Sequence, residues 1–193
     1  MSGMAGRPDE PDEPMIGGLI LAGGEGSRFG EESKLLAELE GRLLLEHAIR
    51  AQCAVPALER VVVVLGANAE QLMGHVDFLD SEPVVCEAWH DGQAASLRCG
   101  VEALAGADKV IVTLGDEPLI TPQVIARFVD EQAPARATYD GRPGHPVSLA
   151  RKQLAAVPEL TGDHGARELL VNARRIECGH LCSGRDVDTP EDL

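Results

Sequence analysis

Arg28 and Lys34 follow a glycine-rich break in an apolar run, GGLILAGGEGSRFGEESK from Gly17 to Lys34. A buried strand ending in such a loop presents backbone N–H groups and two cations where a polyphosphate would sit. Arginine brings a planar fork for phosphate oxygens and lysine a mobile point charge. Gly24, Gly26 and Gly30 give G-x-G-x-x-x-G, one residue off the dinucleotide fingerprint, and no Gly-Lys-Ser/Thr follows to make a Walker loop. For the glycines alone an ordinary strand-to-helix turn is the competing reading; the two cations favour phosphate.

Two aspartates complete the chemistry. Asp116 directly follows the apolar run KVIVTL and precedes Pro118, so it is expected at a strand tip with its carboxylate in the crevice. A carboxylate beside a triphosphate calls for a cation between them, and Mg²⁺ takes one or two carboxylates plus phosphate oxygens. Asp188, in DVDTPEDL, is the candidate second metal ligand. The competing readings are a turn aspartate for Asp116 and a helix cap for Asp188.

The elements that must position these residues are legible as periodicity. Apolar runs at Ile16 to Ala22, Arg60 to Gly66, Pro83 to Cys86 and Lys109 to Leu114 alternate with helical patterns around Leu43 to Gln52, Glu70 to His75 and Ala94 to Leu104. Continuously apolar strands separated by helices predict an α/β fold of three layers with a mostly parallel sheet. Thr121-Pro122 predicts a helix start, running to about Gln132. Ala133 to Gly144 reads as an exposed crossing loop or short hairpin, His145 to Leu149 as a strand, Asp163 as the cap of a helix through Leu170, and Arg175 to Cys178 as a last strand. Ligands of such sheets bind outside the carboxyl ends of the strands. The Gly23 to Gly30 loop, Gly66 with Asn68, His90 to Ser96, and Gly115 to Pro118 all fall on that edge.

Composition narrows the function. The chain has 193 residues, 44% hydrophobic and 25% charged, enough for one core. Met1 to Pro14 reads as a disordered tail and residues 15–193 as a single domain. Aromatic residues are 3% of the chain and the net charge is -15, which argues against nucleic acid as a partner. An anion site must then be a local positive pocket in a negative field. No stretch resembles a signal core or membrane span, and the five cysteines form no C-x-x-C pair, so they read as reduced thiols of a cytoplasmic protein. Cys178 and Cys182 around His180 lack the second ligand pair of a structural zinc site.

Taken in order, LAGGEGSRFG...K, DGQAASLRCG, GDEPLI, GRPGHPVSLAR, GDHGARELL and DVDTPEDL resemble the MobA-like nucleotidyltransferase family, and within it the branch containing molybdenum cofactor cytidylyltransferase. The resemblance spans nearly the whole chain after the tail. It implies a Rossmann-like nucleotidyltransferase fold and transfer of CMP or GMP from a nucleoside triphosphate to a phosphorylated acceptor, with Mg²⁺ and release of pyrophosphate. By the same resemblance Ala22, Gly23, Gly24, Gly26 and Ser27 line the nucleotide. Arg28 and Lys34 hold the triphosphate, Gly92, Gln93 and Ser96 face base or ribose, and Asp116 with Asp188 holds the metal. The acceptor implied is molybdopterin or molybdenum cofactor, with a molybdenum enzyme as a further partner. His145, His164 and Arg167 lie in the half expected to bind it.

The first loop, Leu21-Ala22-Gly23-Gly24, is more similar to the guanylyl branch, whereas the later motifs favour the cytidylyl branch, so CTP and GTP both stay open. Two other functions compete. Relatives with this motif set include oxidoreductases using a nicotinamide cofactor; the imperfect glycine pattern and the lack of a ribose-binding acid after the second strand argue against that here. A non-catalytic carrier or insertion partner for molybdenum cofactor would not need Arg28, Lys34, Asp116 and Asp188 together.

Overall fold

The computed structural model describes residues 14–24 and 33–187. Seven strands form one sheet in the order β5-β4-β1-β6-β8-β7-β9. They are β1 (Ile16–Ala22), β4 (Arg60–Leu65), β5 (Glu82–Val85), β6 (Lys109–Leu114), β7 (Ala135–Tyr139), β8 (Arg142–Ala150) and β9 (Arg174–Glu177). A separate two-stranded hairpin comprises β2 (Glu38–Leu39) and β3 (Arg42–Leu43). The first four strands of the order are mutually parallel, β8 runs antiparallel to β6 and β7, and β9 is parallel to β7.

β1 is central because both its neighbours cover its backbone and both faces are covered by helices. Its alternation divides the core in two. Leu19, Val62, Val64, Val110 and Val112 join one cluster, while Ile20, Val61, Val63, Leu65 and Ile111 join the other. The Ile20 face is closed by α1 (Leu44–Cys53), α2 (Ala69–His75) and α4 (Pro122–Asp130), which contribute Leu45, Ile49, Leu72, Val124, Ile125 and Phe128. The Leu19 face is closed by α3 (Gln93–Ala103) and the 157–170 segment, through Ala94, Leu97, Val157, Leu160 and Leu170. α5 (Arg151–Ala156) follows β8 directly. Each fully buried aliphatic side chain contributes about 1.5–3 kcal/mol, so two such faces hold the sheet rigid beneath its edge.

Thr121 caps α4 as expected, its hydroxyl accepting from the Val124 N–H, with Pro122 in the first turn. Of the two readings of the 133–144 stretch the hairpin is the one found, β7 turning at Asp140-Gly141, both at positive φ, directly into a nine-residue β8. Three expectations need correction. Asp163 does not cap an α-helix: residues Gly162–Leu170 form 3₁₀ turns interrupted at Gly165, after Thr161. The helix from Pro122 ends at Asp130, not near Gln132. Finally, Cys86 and Cys99 are joined in a disulfide, with Cα atoms 5.9 Å apart. α3 folds back over β5, so two cysteines with no motif spacing meet within the range that a bridge spans. No described helix is long and apolar enough to cross a membrane.

Candidate active site

The carboxyl ends of β1, β4 and β6 open on one edge. Beyond Ala22 the chain continues as Gly23-Gly24, and the Gly23 carbonyl lies so near Gly66 that a Cβ there would overlap it. A Cβ on Gly23 itself would sit 2.7 Å from Ser96 Oγ. The loops after β1 and β4 therefore meet backbone to backbone, which only glycine permits, and the Ser96 side chain of α3 packs against Gly23.

Between them lies a cavity of about 190 Å³. Leu21, Leu35 and Leu114 form its apolar lining, and Ala22, Gly23, Gly24, Ser33, Lys34, Gln93, Ser96 and Asp116 supply its backbone and polar rim. A second hollow of about 440 Å³ shares Gly23, Gly24, Gln93 and Ser96 and reaches Trp89, His90, Gly92 and Asp163. The two make one cleft, with a smaller inner end holding Lys34 and Asp116 and a wider outer end. Gly92 caps α3 at φ 96, ψ -178, a conformation that is essentially glycine's own, and a Cβ there would lie 2.5 Å from Asp163 Oδ1. The positive end of α3 thus faces the shared wall of both hollows, where anionic groups are favoured.

At the inner end Lys34 Nζ lies 2.6 Å from Asp116 Oδ2, with the two side chains 15% and 22% exposed. Lys34 opens a short 3₁₀ turn, Lys34–Leu36, anchored by buried Leu35. Asp116 sits just past β6, and its carbonyl accepts from the Val187 N–H at 2.9 Å. The chain therefore returns to Asp116 one residue before Asp188.

Next to Asp116, Glu117 is buried; its Oε1 accepts from His145 Nδ1 at 3.0 Å, and its Oε2 has no partner among the described residues. Burial pushes the His145 imidazole down, but the Glu117 carboxylate, with Asp116 behind it, more than reverses this, and the net shift is upward. Tyr139 Oη donates to the His145 carbonyl at 2.6 Å and fixes the ring's backbone.

Of the residues singled out in the sequence, Ala22, Gly23, Gly24, Lys34, Gly92, Gln93, Ser96 and Asp116 line this one cleft. Gly26, Ser27, Arg28 and Asp188 lie outside the described residues, as does the side chain of His164. His145 lies on a strand as expected, within β8, and is bound to Glu117. Arg167 is exposed on the 162–170 segment. Sequence reasoning missed Glu117, although GDEP places a second carboxylate right after the strand tip. It also missed Trp89 and Ser33, which no pattern marked.

The sequence matches the model of the MobA-like NTP transferase domain over residues 18–176. The chain belongs to that family. By that family it is a nucleotidyltransferase. Among relatives, it is 31% identical to nicotine blue oxidoreductase of Paenarthrobacter nicotinovorans, over 95% of this chain and 97% of that one. It is 37% identical to the bifunctional protein GlmU of Rhodospirillum rubrum over 69% of this chain, which spans only 30% of GlmU. The crystal structure of Rv0371c from Mycobacterium tuberculosis H37Rv superposes with a TM-score of 0.81 at 25% identity, covering 93% of this chain and 95% of that one. A manganese complex of Rv0371c superposes at 0.77, with 23% identity over 92% and 95% of the two chains.

Proposed function

We propose that this protein transfers CMP or GMP from CTP or GTP to a phosphorylated acceptor, molybdopterin or molybdenum cofactor, and releases pyrophosphate. The observation that carries the reading is the Lys34–Asp116 pair at the inner end of a cleft walled by glycine backbone and by the positive end of α3. A cation and a carboxylate held together beside that lining suit a triphosphate with its counter-ion.

The residues fit a hard divalent cation. Asp116 offers a part-exposed carboxylate in the lining of the cavity, and Asp188, the second carboxylate of this reading, lies outside the described residues. Mg²⁺ is held by one or two carboxylates and completes its shell with phosphate oxygens and water. Asp116 and Asp188 would hold it, and when bound it neutralises charge on the transferring and leaving phosphates. Rv0371c, of the same fold, forms a complex with manganese.

The chain's own groups then have distinct tasks. Lys34 leaves Asp116 for the β- and γ-phosphate oxygens, and Arg28 assists it. Backbone N–H groups at Ala22, Gly23, Gly24, Gly26 and Ser27 follow the nucleotide, while Gly92, Gln93 and Ser96 face base and ribose across the outer hollow. An acceptor phosphate oxygen attacks the α-phosphorus in line, and the bond to pyrophosphate breaks. An ionised phosphate is already a nucleophile, so positioning and charge neutralisation supply the catalysis and no general base is required. His145, His164 and Arg167 stand on the acceptor side. A nicotinamide-dependent oxidoreductase is the second reading; the Paenarthrobacter relative is named an oxidoreductase. Pyrophosphate release from CTP or GTP, with Mg²⁺ and molybdenum cofactor, tests the proposal; hydride transfer without pyrophosphate would replace it.

A further inference from the structure

Arg136, Arg167 and Arg175 come together on the face of the sheet away from α1 and α4. Arg136 is the direct partner of Arg175 across β7 and β9, so the two side chains rise side by side. Its flanking residues Ala135 and Ala137 belong to the core of the opposite face, while its partner on β8, Val147, belongs to the α3 face. The 162–170 segment lies over that face, packing Ala166, Leu169 and Leu170 into it and carrying Arg167. The charges of Arg167 and Arg175 both act on the Arg136 guanidinium, which burial also disfavours.

Nothing among the described residues neutralises them. Arg136 Nε is buried without a hydrogen-bond partner. The neighbouring Arg174 pairs with Glu131, 3.0 Å away, whereas no ion pair joins Arg136, Arg167 or Arg175 to a described carboxylate. In a chain with 32 acidic and 17 basic residues, three converging guanidiniums without a carboxylate are a selective feature. The strands beneath are held firmly: Glu177 at the end of β9 accepts from the Thr138 hydroxyl at 2.8 Å and from the N–H of Gly179 and Asp140 at 3.0 Å, locking β9 to the hairpin.

The cluster adjoins the cleft. Gly165 lies against Gln93, where a Cβ would come 3.0 Å from Oε1, and Asp163 lines the outer hollow; Arg167 follows two residues later. Arg136 is also near enough to His145 to oppose its protonation. Planar guanidiniums are suited to bidentate recognition of phosphate oxygens.

We propose that Arg136, Arg167 and Arg175 form an oxyanion site on the β7–β9 side of the cleft, which takes a phosphate group carried by the acceptor. The assignment of that phosphate to an acceptor rests on reading the cleft as a nucleotidyl-transfer site.

The test is calorimetric titration of the full chain with inorganic phosphate and with glycerol 3-phosphate. Wild type, the R167A/R175A double variant, R136Q and K34A are compared, each checked for an unchanged melt. Arg167 and Arg175 are exposed, so their removal leaves the core intact. Both probes should bind wild type and K34A equally, and bind R167A/R175A and R136Q at least tenfold more weakly. Titration with CTP and Mg²⁺ should show the reverse, weakened in K34A and kept in R167A/R175A. Phosphate binding indifferent to the arginines, or absent from wild type, overturns the site. Binding of the free ion without the ester overturns its assignment to a larger molecule. If both probes follow the arginines while CTP and GTP bind nowhere, the oxyanion site stands and the reading of the cleft falls.

Discussion

Lys34 and Asp116, brought from a 3₁₀ turn after β1 and from the tip of β6, meet at 2.6 Å in the wall of the cavity. The pair stores both charges that a metal-bound triphosphate needs, each satisfied by the other until the ligand exchanges partners with them. Lys34→Ala should lower turnover about a hundredfold, because losing one preorganised charge at developing pyrophosphate costs about 3 kcal/mol. The carboxylate left behind still faces the open cavity, so stability should fall by only about 1 kcal/mol. Pyrophosphate release and thermal melting check both; activity within a few-fold of wild type would remove Lys34 from the triphosphate.

Asp116→Asn and Asp188→Asn should each remain folded and lose Mg²⁺-dependent turnover. If they act through one ion, the double variant should be little worse than the worse single one, since groups working as a unit are not additive. Multiplicative losses across a Mg²⁺ titration would separate the two aspartates.

The Glu117–His145 pair predicts a pH dependence with a definite sign. Glu117 holds the His145 imidazolium, so the folded-state pKa lies above the ordinary 6.5 despite burial. The stability this supplies is fully present below pH 6.5 and is lost as pH rises through the raised value. Glu117→Gln should bring the imidazole titration down and flatten that part of the stability profile. NMR titration of the His145 ring reads it directly; an unmoved midpoint in the variant would show that Glu117 does not set it.

Most strands were readable because each is a short apolar run with a helix on either side, and in a doubly covered sheet such runs have no other place to go. The hairpin of β7 and β8 was underestimated because Pro, Gly and Arg dominate its composition. Asp140-Gly141 is nonetheless a turn pair whose positive φ matches strand twist. Residues of the cleft that sit at strand ends, such as Gly23 and Asp116, could be named from the sequence. Glu117 with His145, Arg136 with Arg175, and Cys86 with Cys99 could not. Each pairing depends on which strands become neighbours or on how a helix folds back, and the antiparallel placement of β8 between β6 and β7 has no local signature.

Gly92→Ala should damage the outer hollow more than the inner one. An alanine at φ 96 is strained, and its methyl would press on Asp163 and on the Gly162 carbonyl. Such strain costs roughly 1–3 kcal/mol. The expected result is a lower melting temperature and weaker nucleotide binding, with the Lys34 end of the cleft retained. An unchanged KM for the nucleotide would place base and ribose away from Gly92.

On the proposed function, the cleft between Gly23, Lys34, Ser96 and Asp116 takes a nucleoside triphosphate. A ligand that binds only the folded state raises the melting temperature by mass action, by about 2.7 kcal/mol of stability at a hundred times its Kd. A thermal-shift panel of CTP, GTP, ATP, UTP, NAD(H) and NADP(H), each with and without Mg²⁺, is therefore the most direct measurement. CTP or GTP should stabilise the protein in the presence of Mg²⁺, and the nicotinamide dinucleotides should not. A clear shift with NAD(H) or NADP(H) and none with any triphosphate would contradict the account.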